Sequence, residues 1–495
     1  MSQDIFDLDY SMIQDPMRPG EAIDDDRFGK PREYCGLCGV AGGELVLEKV
    51  HTGLHAQQHR GQECAGVMVS DGHSCTLHRG AGLVDSVMGT VPSEWWGMPI
   101  KRAIGHVRYS TAGDSTANNA QPIMVNIGGH SIGIAHNGTI CNSVSLRASL
   151  LNDGAIFQTT SDTELILHLM ARSLMRSGNG DLWGALEDAL RGVKGAYSLL
   201  LMTADELVAV RDPYGFRPLV MGFFDDGGLV VASETIAFNA SGATYLREIE
   251  PGEIVTINKN NRHTSRFFAK SERRAHCIFE HVYFARPGSY VFGDSVYEVR
   301  KEMGRQLARE APVDADVVIP MPDSGMFAAL GYAEQSGISF DMGITRNHYV
   351  GRTFIDPGNM PRQRMVMRKL QPITEALKGR RICVIEDSIV RGSTSRARMS
   401  ALRQAGASEI HMRISCPPHR YGCYYGIDFP EREKLFANKF DESSFCCVLG
   451  IDSIAYLSEE GMLKSVKKYK AEDYCCACFN GRYPVEPEMI NPKSV

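Results

Sequence analysis

The sequence predicts two successive domains of different class: an α+β half of stacked sheets and helices, then an α/β half built on a parallel sheet. Three observations carry this. The chain has 495 residues, 43% hydrophobic and 23% charged, enough apolar side chain for more than one packed core and too little charge for a mainly disordered chain. From Cys35 onward, short apolar segments alternate with Gly-rich and Asn-rich turns. Beyond Phe279, apolar strands alternate with longer helical stretches, the mark of βαβ units whose parallel sheet is covered on both faces.

Met1 to Tyr34 is rich in Asp, Pro and Gly, lacks sustained periodicity and reads as a flexible leader. It holds nine acids against four bases, so it carries five of the chain's six net negative charges. A secretory signal needs an apolar centre after basic residues and transit peptides are acid-poor, so the leader matches neither. Strands are expected at Gly39 to Ala41, Ala65 to Val69, Ser131 to Ala135, Tyr197 to Met202 and Leu229 to Ala232. The clearest helix of this half is Ser161 to Arg176, with Leu165, Ile166, Leu169 and Leu174 near one face; Ser161 and Glu164 have capping-box spacing. Between Glu250 and Arg274 the pattern weakens into a polar, basic stretch. Val317 to Ile319 then precedes a helix ending near Gly337, Ile382 to Ile385 precedes a helix from Ser393 to Ala405, and Ile410 to Ile414 is a further strand. The expected divisions are a leader over 1–34, a first domain over 35–275, a second over 276–465 and a C-terminal strap over 466–495.

A formal charge of −6 argues against general nucleic-acid binding, because affinity for a phosphate backbone needs surplus Lys and Arg. No apolar run approaches the roughly 18 residues that cross a membrane, so a cytoplasmic protein is expected. Fourteen cysteines without a secretory signal are no disulfide framework, which leaves metal ligation, catalysis and plain burial. Cys35/Cys38 and Cys475/Cys478 are both C-x-x-C pairs, but about 440 residues separate them where a zinc ribbon has roughly 15 to 20.

Glu386 to Thr394 reads EDSIVRGST directly after an apolar strand. Strand ends of open parallel sheets bind ligands, and the Gly392, Ser393, Thr394 turn opens a helix whose free N–H groups can hold a phosphate. Two adjacent carboxylates suit a ribose, accepting from its hydroxyls, and Mg²⁺, which prefers oxygen ligands. In the first half, a cut after Tyr34 would give Cys35 both a thiol nucleophile and a free α-amine. With an unperturbed pKa near 8, that amine can serve as general base. From C-G-L-C alone, Cys35 reads rather as a buried small hydrophobe or half of a redox pair, and it is the surrounding motifs that reverse this.

The segment Glu386 to Thr394 resembles the phosphoribosyl-diphosphate motif of type I phosphoribosyltransferases. Pro322, Asp323 and Ser324 stand where that family places its diphosphate loop, and Tyr349 to Ile355 (YVGRTFI) where it places a closing loop. CG at Cys35, HRGQE at His59 to Glu63, GHVRYST at Gly105 to Thr111, HNG at His136 to Gly138 and SDTE at Ser161 to Glu164, in this order, resemble the glutaminase domain of the amidophosphoribosyltransferase family. The resemblance covers essentially Cys35 to Pro484. It implies an αββα N-terminal nucleophile hydrolase sandwich followed by a type I phosphoribosyltransferase parallel-sheet domain.

The resemblance further implies the chemistry. Cys35 attacks the glutamine amide, Asn137 and Gly138 form the oxyanion hole, and Arg108 and Asp162 pair with the glutamine α-carboxylate and α-ammonium. Asp323, Ser324, Arg346, Arg352, Glu386, Asp387, Ser388, Arg391, Gly392, Ser393 and Thr394 bind phosphoribosyl diphosphate; Ser324, Glu386 and Asp387 hold one Mg²⁺ per subunit. Ammonia passes through a closed interior passage to C1, diphosphate leaves, and 5-phosphoribosylamine forms with inversion, the committed step of purine synthesis. The loop Arg346 to Pro357 is the implied gate. In the Bacillus-like branch a [4Fe–4S] cluster sits on four cysteines, here Cys277, Cys423, Cys475 and Cys478, although four thiolates also suit zinc. Homotetramers and feedback by purine nucleotides follow from the same likeness. This sequence departs from the family at Glu386, where Asp is usual, at Cys38, where an aromatic is common, and at His348, where Arg is frequent. Two rivals remain at this point: a regulatory protein keeping the phosphoribosyl fold as a sensor, and another glutamine-dependent enzyme such as one that aminates sugar phosphates.

Overall fold

The computed structural model describes residues 35–109, 117–271, 273–347, 370–429 and 431–488. The leader, His348, Arg352 and the segment Tyr349 to Ile355 lie outside these residues.

The first half contains β1 (Gly36–Ala41), β2 (Cys64–Ser70), β3 (Cys75–Ala81), β4 (Arg102–Arg108), β5 (Ile123–Ile127), β6 (His130–Ile140), β7 (Gly195–Met202), β8 (Leu207–Arg211), β9 (Val220–Phe223), β10 (Leu229–Ala232), β11 (Thr244–Glu248), β12 (Glu253–Ile257) and β13 (His263–Phe267). They form a seven-stranded sheet in the order β11-β9-β10-β1-β4-β2-β3 and a six-stranded sheet in the order β13-β12-β8-β7-β6-β5. Pairing within both is antiparallel. Side chains alternate across each strand, and β1 shows the result. Leu37 and Ala41 join the core between the sheets, with Ile104, Ala135, Leu200 and Val255. Cys38 and Val40 point the other way, toward the helix Val46–Ala56. The helices Thr163–Ser177 and Leu182–Arg191 cover the second sheet. Four layers result, αββα, and strands buried on both faces read as unbroken apolar runs.

Two local expectations change. The polar stretch from Glu250 to Arg274 contains β12 and β13; β13 is an edge strand with every side chain exposed, so no apolar alternation announces it. The Ser161/Glu164 capping box does not form. Asp162 occupies the cap position, and the Glu164 carboxylate instead accepts from the N–H groups of Gln158 and Thr159, both at 2.8 Å.

In the second half, Val317–Pro320, Arg381–Glu386, Glu409–Ile414 and Ser453–Tyr456 form a parallel sheet in chain order. The helix Met326–Ser336 stops at Gly337, whose φ of 76° is left-handed, and the helix Ser393–Gln404 follows the second strand. Farther along, Tyr474–Cys475 pairs in parallel with His276–Cys277, at the junction between the halves. The Tyr425 hydroxyl donates to the Val485 carbonyl at 2.5 Å and accepts from the Val485 N–H at 3.0 Å, fastening the final described segment to the second domain.

Candidate active site

Cys35 runs directly into β1, whose Gly36 lies opposite Val107 of β4. One antiparallel step outward, Cys35 therefore lies beside Arg108. Burial pushes the Cys35 thiol up to about 11, and Arg108 is the strongest influence pulling it back. While Tyr34 precedes it, the Cys35 nitrogen is an amide and supplies no base.

Asn137, buried, and Gly138, half-buried, sit on β6 opposite Ser198 and Tyr197 of β7. Gly138 has φ 146°, and a Cβ there would overlap the Ala196 carbonyl oxygen, so the position accepts only glycine. Ser233 ties this strand to the nucleophile: its Oγ accepts from the Leu37 N–H at 3.0 Å and from Asn137 Nδ2 at 3.4 Å. Sequence reasoning missed Ser233. Its only signal is a polar residue closing the apolar strand Leu229–Ala232.

Asp162 is buried, accepts from the Ile140 N–H at 2.8 Å and has His136 Nδ1 3.6 Å away. Burial opposes its charge, but His136 and the N–H donors hold its pKa below the usual carboxylate value. An anion kept at that depth is suited to an ammonium group. Cys35, Arg108, Asn137, Gly138 and Asp162, spread over 128 positions of sequence, are thus set around adjoining strand ends by the two sheets.

The second cluster lies at the carboxyl ends of the parallel strands. Pro320 is in register with Ile385, and the Met321 N–H donates to the Ile385 carbonyl at 2.8 Å, so the turn bearing Asp323 and Ser324 lies beside Glu386 to Ser388. Glu386 and Asp387 are buried; Arg398 Nη1 donates to Glu386 Oε2 at 3.0 Å, and Ser388 Oγ donates to Asp387 Oδ1 at 2.6 Å. Gly392 opens the helix with φ 83°, and Ser393 and Thr394 form its first turn. Arg346 ends the strand Ile344–Arg346 and forms an ion pair with Asp323, both side chains about half exposed. Hard oxygen donors at a strand end fit Mg²⁺, which keeps waters and substrate oxygens beside one or two carboxylates. Among the described residues no three His, Cys, Asp or Glu side chains converge on one ion position.

All fourteen cysteines are free thiols. Cys277 and Cys475 are opposite each other in the parallel pair, and Cys478 follows on the short helix Ala477–Asn480. Burial pushes the Cys277 thiol up to about 12. Cys475 and Cys478 are driven well above the thiol range, first by burial and then by each other's neighbourhood: both feel Cys277 and Cys423. Cys476 belongs to the same neighbourhood: it feels Cys277, and both Cys475 and Cys478 feel it. Cys277, Cys423, Cys475 and Cys478, none of them in a disulfide, are candidate ligands for a shared metal centre.

Between the two sites runs a buried ion network that sequence reasoning also missed. Arg60 pairs through Nε with Glu234 and donates through Nη2 to Glu280 Oε2 at 2.5 Å; Arg217 Nη1 donates to Glu280 Oε1 at 3.2 Å. Glu234 further accepts from Ser289 Oγ at 2.7 Å and the Arg286 N–H at 2.9 Å. Arg60, Arg217 and Glu234 belong to the first half, and Glu280, Arg286 and Ser289 to the second.

Comparison with known proteins identifies the family. Residues 106–240 match a family model described as a glutamine amidotransferase domain. The chain is 47% identical over 471 residues to a chloroplastic amidophosphoribosyltransferase of Glycine max, covering 95% of this chain and 81% of that one. It is 43% identical over 458 residues to the amidophosphoribosyltransferase of Bacillus subtilis, covering 92% and 94%. A solved glutamine phosphoribosylpyrophosphate amidotransferase from B. subtilis, complexed with ADP and GMP, superposes with a TM-score of 0.85 at 41% identity, covering 92% of this chain and 98% of that one.

Proposed function

Because this chain belongs to the amidophosphoribosyltransferase family, we propose that its two clusters act in sequence, glutamine hydrolysis at Cys35 feeding ammonia to phosphoribosyl diphosphate at Glu386 to Thr394. It is a glutamine-dependent pentosyltransferase acting at the first step of purine synthesis. One observation carries the residue assignments: the Cys35, Asn137, Asp162 group and the strand-end carboxylates occur in one chain, in domains joined by a buried ion network.

Removal of residues 1–34 frees the Cys35 α-amine, which takes the thiol proton as sulfur attacks the amide carbon. Charge developing on the amide oxygen meets Asn137 Nδ2 and the Gly138 N–H, donors already fixed by Ser233 and by β7. Arg108 and Asp162 bind the two ends of glutamine. Ammonia departs with the proton, and water releases glutamate from the thioester. Ammonia then crosses the interior to C1 of phosphoribosyl diphosphate, kept from water that would protonate it, and displaces diphosphate with inversion.

In the second site the helix start at Gly392 to Thr394 receives the 5-phosphate, with Ser388 and Arg391 beside it. Glu386 and Asp387 orient the ribose hydroxyls, and Asp323, Ser324, Arg346 and Arg352 meet the diphosphate. Ser324, Glu386 and Asp387 would hold Mg²⁺, which neutralises charge on the departing group. Cys277, Cys423, Cys475 and Cys478 would hold a [4Fe–4S] cluster, which supplies a structural tie at the junction. The loop Arg346 to Pro357 closes over the substrate. Purine nucleotides such as those bound to the B. subtilis relative fit as feedback ligands, and a homotetramer as the assembly. Among the described residues no helix is long and apolar enough to cross a membrane.

The test is diphosphate release with glutamine or ammonia as nitrogen donor. Cys35→Ala is expected to abolish glutamine use and retain ammonia use. Loss of phosphoribosyl chemistry with both donors in the wild type would reject the reading.

A further inference from the structure

Arg217 has no role in the steps above, yet it stands where the two domains meet. Its side chain is 1% exposed and donates through Nη1 to Glu280 Oε1 at 3.2 Å. Nε and Nη2 both donate to the Tyr425 carbonyl, at 3.0 and 2.9 Å. The next residue, Gly426, has φ 104°, and a Cβ built on it would stand 3.0 Å from Arg217 Nη2 and 3.2 Å from the Gly138 Cα. A loop of the second domain therefore rests directly on the backbone of the oxyanion strand. Two further contacts seat it: the Tyr425 ring stacks on Phe216 at 4.2 Å, and Cys141 Sγ, just past β6, donates to the Tyr424 carbonyl at 3.3 Å.

An oxyanion donor works only if its N–H is aimed at the place where charge develops, and displacement by a fraction of an ångström forfeits most of its effect. Gly138 has no side chain to lock its peptide, and its φ of 146° is one that side chains rarely allow. Its support comes from β7 on one side and Gly426 on the other. A guanidinium is the one side chain able to grip a carbonyl with two donors while a third faces a carboxylate.

We infer that Arg217 is a positioning residue for glutamine hydrolysis: by clamping the Tyr425 carbonyl it presses Gly426 against Gly138 and fixes the Gly138 N–H for the oxyanion. This rests on the proposed role of Cys35, Asn137 and Gly138. It also makes glutaminase competence depend on a loop that the phosphoribosyl domain supplies, two residues beyond Cys423.

Two full-chain variants test it. Arg217→Lys keeps a cation facing Glu280 and loses the double grip on Tyr425. Gly426→Ala keeps every charge and crowds Gly138. Both are expected to lower kcat for glutamine by about ten-fold or more while leaving KM for glutamine within about twofold, because neither residue contacts the substrate. Ammonia-dependent synthesis and the rate of Cys35 alkylation by iodoacetamide, which forms no oxyanion at a carbonyl, should stay within about twofold of wild type. Wild-type glutamine turnover in both variants overturns the inference. So does a parallel fall in ammonia-dependent synthesis, which marks a general folding role. A wild type that uses ammonia but never glutamine would instead reject the underlying assignment of the site.

Discussion

Glu234 shows how much one side chain can bind together. Fully buried, it meets Arg60, His59 at 2.8 Å, Ser289 Oγ and the Arg286 N–H. Burial alone would raise its pKa; Arg60 above all, then His59 and the hydroxyl, hold it far below the ordinary value of 4.5. The native state therefore binds fewer protons at Glu234 than the unfolded chain does once pH falls below about 4.5, and stability must decline with acidification from there. Above that pH the contribution is complete and flat. Urea midpoints between pH 3 and 6 should show this slope in the wild type and a shallower one in Glu234→Gln, which starts from lower stability because Arg60 loses a partner. At this scale the sequence was only half readable. HRGQE marked Arg60 as part of a motif, but its carboxylate partners lie 174 and 220 positions away, and no local pattern encodes such pairings. Cys35, Asn137 and Gly138 stand out as candidates because each brings distinctive chemistry in a short motif, whereas Ser233 resembles any strand-end serine.

Among the elements, the strand Arg381–Glu386 and the helix Ser393–Gln404 were the most legible, an unbroken apolar run followed by carboxylates, a glycine and a hydroxyl pair. Gly392 is the hinge of that unit. Its left-handed φ of 83° is strained for any other residue, and a Cβ would overlap the Phe436 ring. Gly392→Ala should cost about 1 to 3 kcal/mol of stability and raise KM for phosphoribosyl diphosphate, while hydrolysis of glutamine alone changes little. Thermal melts read the first effect and substrate titrations the second; an unchanged KM for phosphoribosyl diphosphate would mean that the helix start does not hold the substrate. The edge strand β13 went unseen for the opposite reason: it closes its sheet with every side chain exposed, so no apolar period marks it. The misassigned capping box is a case of competition, since Glu164 is drawn to the N–H groups of Gln158 and Thr159.

At the scale of the molecule, the αββα layers and the parallel sheet each have their own core, and a third, smaller cluster joins them. Ala196 and Phe216 of the first half meet Tyr425, Cys475, Ala477 and Val485 of the second. Ending the chain after Asp473 removes three of those partners and uncovers apolar surface at the junction. The shortened protein should show a lower thermal midpoint and self-association by size-exclusion chromatography; a monodisperse variant melting like the wild type would mean the junction is held elsewhere. Length and composition allowed two or three domains, and motif order pointed to the reaction. The junction itself was hidden, because it is made from segments that neither domain's pattern claims.

The parallel pairing of His276–Cys277 with Tyr474–Cys475 has a consequence in time as well as space. About 200 positions separate the partners, and closing a segment of that length waits until the later strand exists. During synthesis the first domain can complete its two sheets while the ribosome is still reading the second. Cys277 emerges long before Cys475 and Cys478, and the seam between the halves is the last piece of the molecule to be sewn.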